Sequence, residues 1–187
     1  MSAGHGHGHG DHGGNKRIAL LISLLALVLA FSETLGKSAQ TAALAYNIEA
    51  SNLWAFFQAK TIRQTTVRTA AEEMEAQFGP KAPDAVKKQV ESWKKTAERY
   101  QSEPETNEGR KELMARAKEM EKKRDRAMAG YHNYEIASAA VQIAIVLASA
   151  QIITGVAALL WIAYALGALG VAFSLIGFFW PTAVHLF

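Results

Sequence analysis

The C-terminal segment of the chain, Ile136 to Phe187, contains no aspartate, glutamate, lysine or arginine. No soluble core of this size needs such a run, whereas a helix that crosses a bilayer needs about 20 mostly apolar residues. Gly155 divides the run and leaves room only for a tight turn. We therefore predict a transmembrane hairpin over residues 136–187, with spans from Ile136 to about Thr154 and from Val156 to about Trp180.

A third apolar run, from Ile18 to Phe31, lies near the N-terminus and follows Lys16 and Arg17. It reaches spanning length if it extends to Leu35, so we predict a first span over residues 16–35. The alternative is a signal peptide, because a basic start followed by a short apolar core is typical of both. We favour a retained anchor, which makes the chain an integral membrane protein with three spans.

Residues 36–135 carry 18 of the 20 lysines and arginines and 15 of the 17 acidic residues. This near balance is typical of solvated helices and unlike the basic surface of a nucleic-acid-binding protein. Breaks are expected near residues 79–83 and 102–109, where prolines and glycines cluster. Apolar residues at heptad spacing follow the first break at Val86, Val90, Trp93, Ala97 and Tyr100, and the second at Leu113, Ala117, Met120, Ala127, Tyr131 and Tyr134.

These seams predict an all-α fold with a long antiparallel coiled-coil stalk, formed by three helices, on one side of the membrane. Three spans place the N-terminal tail on the opposite side from this stalk. Positive charge near the membrane is greater on the stalk side, so we expect the stalk in the cytoplasm. The residues counted are Lys37, Lys118, Lys122, Lys123, Arg124 and Arg126, against Lys16 and Arg17.

The stretch from Gly36 to Gln64 joins anchor to stalk and is rich in alanine and aromatic residues. Leu44, Ile48 and Leu53 mark an apolar line, and we expect an interaction site among Glu49, Asn52, Leu53, Trp54, Phe56, Phe57 and Lys60. Two functional interpretations are a contact between subunits and a collar at the lipid headgroups. The alternative is packing within the chain against Tyr131 and Tyr134.

Small residues recur every three or four positions in the hairpin, as they do where membrane helices pack closely. We expect packing at Ala140, Ala144, Ala148, Gly167 and Gly170, although alanine and glycine are also common in membrane helices generally. Gln142 and Gln151 are polar residues of the second span. They are expected to form hydrogen bonds across helices or, alternatively, to line a polar path.

The N-terminal tail, residues 1–15, is rich in histidine and glycine. His5, His7, His9 and His12 could bind a divalent transition metal weakly, because neutral imidazoles are good ligands for such ions. A plain flexible tail or an expression artefact is the alternative. No other cofactor is expected, and the absence of cysteine excludes thiolate chemistry.

The segment from Asn15 to Thr65 resembles a family of small bacterial membrane proteins known as domain of unknown function 4337. Its most specific part is Glu49 to Lys60, EASNLWAFFQAK, and the likeness extends over almost the whole chain. The resemblance implies a bacterial origin and residence in the inner membrane. It implies no activity and no catalytic residues.

The chain has no phosphate-binding glycine loop, no helical pair of metal-ligating histidines and no serine elbow, so we expect no enzyme. The first functional hypothesis is a homo-oligomeric scaffold or organiser whose stalk interacts with partners. The second is a pore- or channel-like transport assembly. The third is an accessory subunit of a larger membrane complex. The expected partners are lipid, further copies of the chain or another membrane complex, and no nucleic acid.

Overall fold

The computed structural model describes residues 12–184, and in that range the chain is helical without a strand. The helices are α1 (His12–Phe78), α2 (Asp84–Gln101), α3 (Arg110–Thr154) and α4 (Ala157–Phe179), with a short 3₁₀ turn at Gly79–Lys81. The all-α prediction is confirmed. Both α1 and α3 extend well beyond the length of a single span, and neither contains a proline that would interrupt it.

Backbone conformation explains where two of these helices end. Gly79 follows α1 with a φ of +54°, and Gly155 follows α3 with a φ of +71°. Glycine adopts this left-handed conformation without the steric cost that a Cβ imposes, so it commonly terminates helices. Gly155 thereby forms the tight turn between α3 and α4.

Three helices, α1, α3 and α4, are long and apolar enough to cross a membrane. This agrees with the three predicted spans. By their internal contacts the residues divide into two units, which we call the apolar unit (residues up to Thr41 together with those from Arg126) and the charged unit (Ala42–Asp125).

The core of the apolar unit is built from the N-terminal part of α1, the C-terminal part of α3, and α4. Its buried residues are mostly small or branched: Ile18, Leu25, Val141, Ala144, Ala148 and Ala163. Large apolar side chains such as Leu20, Leu24 and Trp161 point outward. An apolar exterior around a small-residue interior is the arrangement expected for helices that pack in lipid.

In the charged unit α2 runs antiparallel to the end of α1. The Gln64 side chain donates to the Ala97 carbonyl at 2.9 Å, and Lys94 pairs with Glu75 at 2.6 Å. The first part of α3 runs antiparallel to the preceding part of α1, where Trp54 donates to Glu121 at 2.9 Å. Helices α2 and α3 therefore lie one after the other along α1.

This arrangement corrects the expectation of three helices side by side. Along the charged unit, α1 packs against one other helix at a time, first against α3 and then against α2. The inward positions of α2 are nevertheless those of its predicted seam. Val90 and Ala97 are buried, and Val86, Trp93 and Tyr100 are half-buried. The heptad pattern identified the inward face of α2 correctly, although it did not identify which helix covers that face.

Candidate interaction site

The expected interaction residues between Glu49 and Lys60 lie on two different faces of α1. Leu53 and Lys60 are buried, with 7% and 6% of their surface exposed, and Trp54 and Phe57 are half-buried. Glu49, Asn52 and Phe56 are exposed. Leu44 and Ile48 also point outward, so the structure separates them from Leu53, with which the sequence grouped them.

The inner face packs within the chain. Leu53 belongs to a small core with Leu113 and Ala117 of α3, and Trp54, Phe57 and Met120 pack against it. The rings of Trp54 and Phe57 meet edge to face, with centroids 5.5 Å apart. These partners on α3 precede Tyr131 and Tyr134, the partners that the sequence suggested for packing within the chain.

Lys60 is a buried cation at an inward position. Its ammonium lies 3.4 Å from the carboxylate of Glu103, and the rings of Phe56 and Tyr100 flank it at 5.5 and 5.3 Å. A buried charge is costly unless it is paired, and aromatic faces add attraction for a cation. The carboxylate and the two rings together compensate for removing Lys60 from water.

Arg110, the first residue of α3, forms a second polar centre beside Lys60. Its guanidinium donates to Thr61 at 2.9 Å, to Gln101 at 2.8 Å and to Gln64, and it stacks over Phe57 at 5.1 Å. Arg110 thus joins the end of α2 and the start of α3 to one level of α1. We call Lys60, Thr61, Gln64, Gln101, Glu103 and Arg110 the junction cluster.

Sequence reasoning singled out only Lys60 from the junction cluster. A signal for the site was nonetheless present, because Lys60 and Gln64 occupy inward heptad positions that are otherwise apolar. Polar residues at such positions often specify the register of a coiled coil. Their partners Glu103 and Arg110 were not apparent, since both lie beyond α2 in the chain and nothing local links them to α1.

The loop between α2 and α3 is closed by Glu112 in the first turn of α3. Its carboxylate accepts hydrogen bonds from the Ser102 hydroxyl at 2.6 Å and from the Glu103 backbone N–H at 3.1 Å. The Ser102 hydrogen bond is the main cause that lowers the pKa of Glu112 below its usual value of 4.5. Glu112 therefore stabilises this loop in its ionised form.

Close helix contacts in the apolar unit occur at the expected small residues. Ala140, Ala144 and Ala148 are buried on α3, and Gly167 and Gly170 are buried on α4. A Cβ at Gly167 would lie 2.8 Å from the Leu25 side chain. At Gly170 it would overlap the Val141 side chain and lie 3.0 Å from the Ala137 carbonyl. Glycine is therefore needed at Gly170, where α4 approaches α3, whereas at Gly167 only the end of the Leu25 side chain would have to move.

The two glutamines of the second span differ in their surroundings. Gln142 is exposed and donates across helices to the Glu33 carboxylate at 3.1 Å. Gln151 is half-buried, and its side-chain oxygen accepts no hydrogen bond from any described residue. A further polar contact, not foreseen from sequence, joins the Ser32 and Ser174 hydroxyls at 2.7 Å in the interior.

A metal site is expected only in the N-terminal tail. His5, His7 and His9 lie outside the described residues, as does the side chain of His12, so metal binding there stays a prediction. In the described part of the chain no three histidine, aspartate or glutamate side chains come together as a metal site.

Comparison with protein families matches residues 14–180 to a family described as a domain of unknown function, DUF4337. No curated protein and no solved structure matches the chain. The matched segment includes the charged unit and all three helices of spanning length. The chain therefore belongs to the DUF4337 family.

Proposed function

We propose that the protein is a non-enzymatic scaffold that spans the membrane and associates with further copies of itself. The observation that carries this proposal is the exposed pair formed by Glu33 and Gln142. Both residues belong to helices of spanning length, and both lie on the outer surface of the apolar unit. A single chain in lipid leaves this polar pair uncovered.

The position of the pair along α3 places it inside the apolar region. Gln142 follows Glu135, the last charged residue of the chain, by two turns of helix, which is about 10 Å. A charged side chain at the bilayer centre costs about 2.5–3.5 kcal/mol on insertion scales, and less near the headgroups. Membrane helices reduce such costs by hydrogen bonding to one another. A second copy of the chain that packs against Glu33 and Gln142 would shield them from lipid.

We further propose that the charged unit is an antiparallel coiled coil, with two helices at each level. Its inward positions on α1 are spaced three and four residues apart over the whole unit, as coiled-coil packing requires. These positions are Ala43, Tyr46, Ala50, Leu53, Phe57, Lys60, Gln64, Val67, Ala71 and Met74. Such a unit offers a rigid helical surface to partners and needs no catalytic group.

For localisation we propose the bacterial inner membrane, with the charged unit in the cytoplasm. The charge count supports the orientation, since basic residues near the apolar segments are more numerous on the side of the charged unit. The family resemblance supports the choice of membrane. Attaching a reporter enzyme after residue 92, in α2, tests the orientation, because alkaline phosphatase is active only outside the cytoplasm.

Self-association is tested by native mass spectrometry of the full chain released from a mild detergent. We expect a multimer of this chain alone, weakened when Glu33→Leu and Gln142→Leu are combined. Leu20→Ala, a change at another exposed position of α1, is the matched control and should have no effect. A single-chain particle would contradict the proposal, and recovery with a different protein would favour an accessory subunit.

The same polar pair favours one alternative, a pore between copies lined by Glu33 and Gln142. The pair lies on the outside of the apolar unit, so such a pore would need several copies around it. Ion flux into liposomes that contain the purified chain tests this function. A flux that Glu33→Gln abolishes would support a pore, whereas sealed liposomes would leave the scaffold as the better account.

A further inference from the structure

The outward face of α1 in the charged unit carries a second seam of residues at heptad spacing. Its members are exposed and spaced by alternating steps of four and three residues. We call this the outer seam: Leu44, Ile48, Ser51, Ala55, Gln58, Ile62, Thr65 and Thr69. The three large apolar members, Leu44, Ile48 and Ile62, are 59%, 53% and 67% exposed. The outer seam has the pattern of a coiled-coil contact but has no partner within the unit.

The outer seam differs from the other exposed faces of the charged unit in charge. None of its eight residues is charged, and on one flank Ala45, Asn52, Ala59 and Thr66 are uncharged too, so that the nearest charges are Glu49, Arg63 and Arg68 beside the seam. On α3 between residues 110 and 125, by contrast, every exposed residue except Ala115 is charged. Most exposed residues of α2 are charged as well. Covering either of those faces would desolvate many charges.

We propose that the outer seam is where two copies of this chain meet, in parallel and in register. Copies inserted in one membrane share one orientation, so the same segment of two chains runs in the same direction. In a parallel pair each seam residue lies next to its own counterpart. A charged residue would then face a like charge, so a seam that stays uncharged from Leu44 to Thr69 fits this partner.

The chemistry of the individual residues is also compatible with self-pairing. Leu44, Ile48 and Ile62 would bury apolar surface against themselves, and Ala55 allows close approach. Gln58 would face a second Gln58, and an amide can both donate to and accept from its counterpart. The outer seam also contains the hydroxyl residues Ser51, Thr65 and Thr69, and polar residues at seam positions favour one register over shifted ones.

The size of the surface indicates how strong the contact can be. From Leu44 to Thr69 the seam is about 38 Å long, and with a width of about 10 Å it offers roughly 400 Å² per copy. Two such faces bury less than a stable interface in solution, which needs about 1200 Å². Copies held in one membrane meet at a high effective concentration, so the contact suits an anchored chain. This inference rests on the proposed self-association and names its surface.

Cysteine crosslinking in membranes tests the inference directly, because the natural chain contains no cysteine. We would compare Ile48→Cys, Ala55→Cys and Ile62→Cys with two exposed controls, Glu49→Cys beside the seam and Ala115→Cys on α3. Disulfides need Cα atoms within about 7 Å, so we expect dimers at the seam positions to form at least about fivefold faster than at the controls. A second arm combines Ser51→Lys with Ile62→Cys, which should reduce dimer formation through like-charge repulsion.

Native mass spectrometry of the same variants distinguishes a failure of the outer-seam proposal from a failure of the self-association proposal. Equal crosslinking at seam and control positions in a chain that remains multimeric would overturn the outer seam and leave self-association intact. Equal crosslinking in a chain that is a single-chain particle would overturn both proposals. Faster crosslinking at the seam, lost with Ser51→Lys and retained with Ala115→Lys, supports the seam.

Discussion

The ammonium of Lys60 lies 3.4 Å from the carboxylate of Glu103, and only 8% of the Lys60 side chain is exposed. The pair joins the middle of α1 to the loop that follows α2. It lies where α2 ends along α1 and α3 begins, beside the network around Arg110. Because one apolar seam could accept α2 in several registers, a buried pair at a single level favours one of them.

We expect substitutions of Glu103 and of Lys60 to reduce stability by different amounts. Glu103→Gln leaves Lys60 buried without a counter-charge, so we expect α2 to lose about 1–3 kcal/mol of stability. Lys60→Met fills a similar volume and leaves Glu103, which is 21% exposed and also pairs with Arg99 at 3.7 Å, so we expect a smaller loss. Hydrogen exchange of the α2 amides measures the stability change in each single variant. The double variant then gives the coupling free energy between Lys60 and Glu103. Equal losses in the two single variants would contradict the account of a buried charge that needs its partner.

A larger residue at Gly170 should destabilise the apolar unit. Any Cβ there overlaps the Val141 side chain and approaches the Ala137 carbonyl, so Gly170→Val forces α4 away from α3. We expect a loss of about 1–3 kcal/mol, the usual cost of overpacking. Ala172→Val, at an exposed position of the same helix, is the control. The midpoint of unfolding in mixed detergent compares the two, and similar midpoints would show that α4 does not pack closely here.

The Ser32 and Ser174 hydroxyls should contribute a modest coupling between α1 and α4. Each can also donate to a carbonyl of its own helix, at 2.9 Å, so neither is left alone when the other is replaced. Hydrogen bonds between membrane helices average about 0.6 kcal/mol, and we expect a coupling near that value. A cycle of Ser32→Ala, Ser174→Ala and the double variant measures it. Additive effects would mean that the cross-helix bond contributes nothing.

The loop between α2 and α3 should weaken in acid through Glu112. Its pKa is lowered in the folded chain, so its stabilisation is fully present above the usual value of 4.5 and is lost as the pH falls through the folded-state pKa. We expect Glu112→Gln to lower stability at neutral pH and to reduce its loss on acidification. Hydrogen exchange of residues 102–113 at pH 7 and pH 4 measures the difference. Glu105→Gln, in the same loop, is the control, and an unchanged pH dependence in Glu112→Gln would contradict this role.

The expected interaction residues show how far pattern reasoning extends at the site. The aromatic residues Trp54, Phe56 and Phe57 were visible in the sequence as a dense cluster. Its division into an inner and an outer face was not, because Leu44 and Ile48 look like partners of Leu53 until the helix has a defined inward side. That side depends on α3, which begins only at Arg110, after the whole of α2.

Properties that depend on neighbours along the chain follow from the amino-acid sequence alone. An uncharged run as long as Ile136 to Phe187 must avoid water, Gly79 and Gly155 permit left-handed turns, and heptad spacing marks the side of a helix that is covered. Which helix packs on that side, by contrast, depends on contacts between residues that are distant in sequence. Heptad seams resemble one another in their apolar content, so apolar packing alone does not set the order of α2 and α3 along α1. That order depends on specific polar pairs between residues that are distant in sequence, among them Lys60 with Glu103, and on Arg110 with Gln101. The outer seam is likewise defined only once the inner face of α1 is known, because a residue is outward only relative to what is packed on the other side.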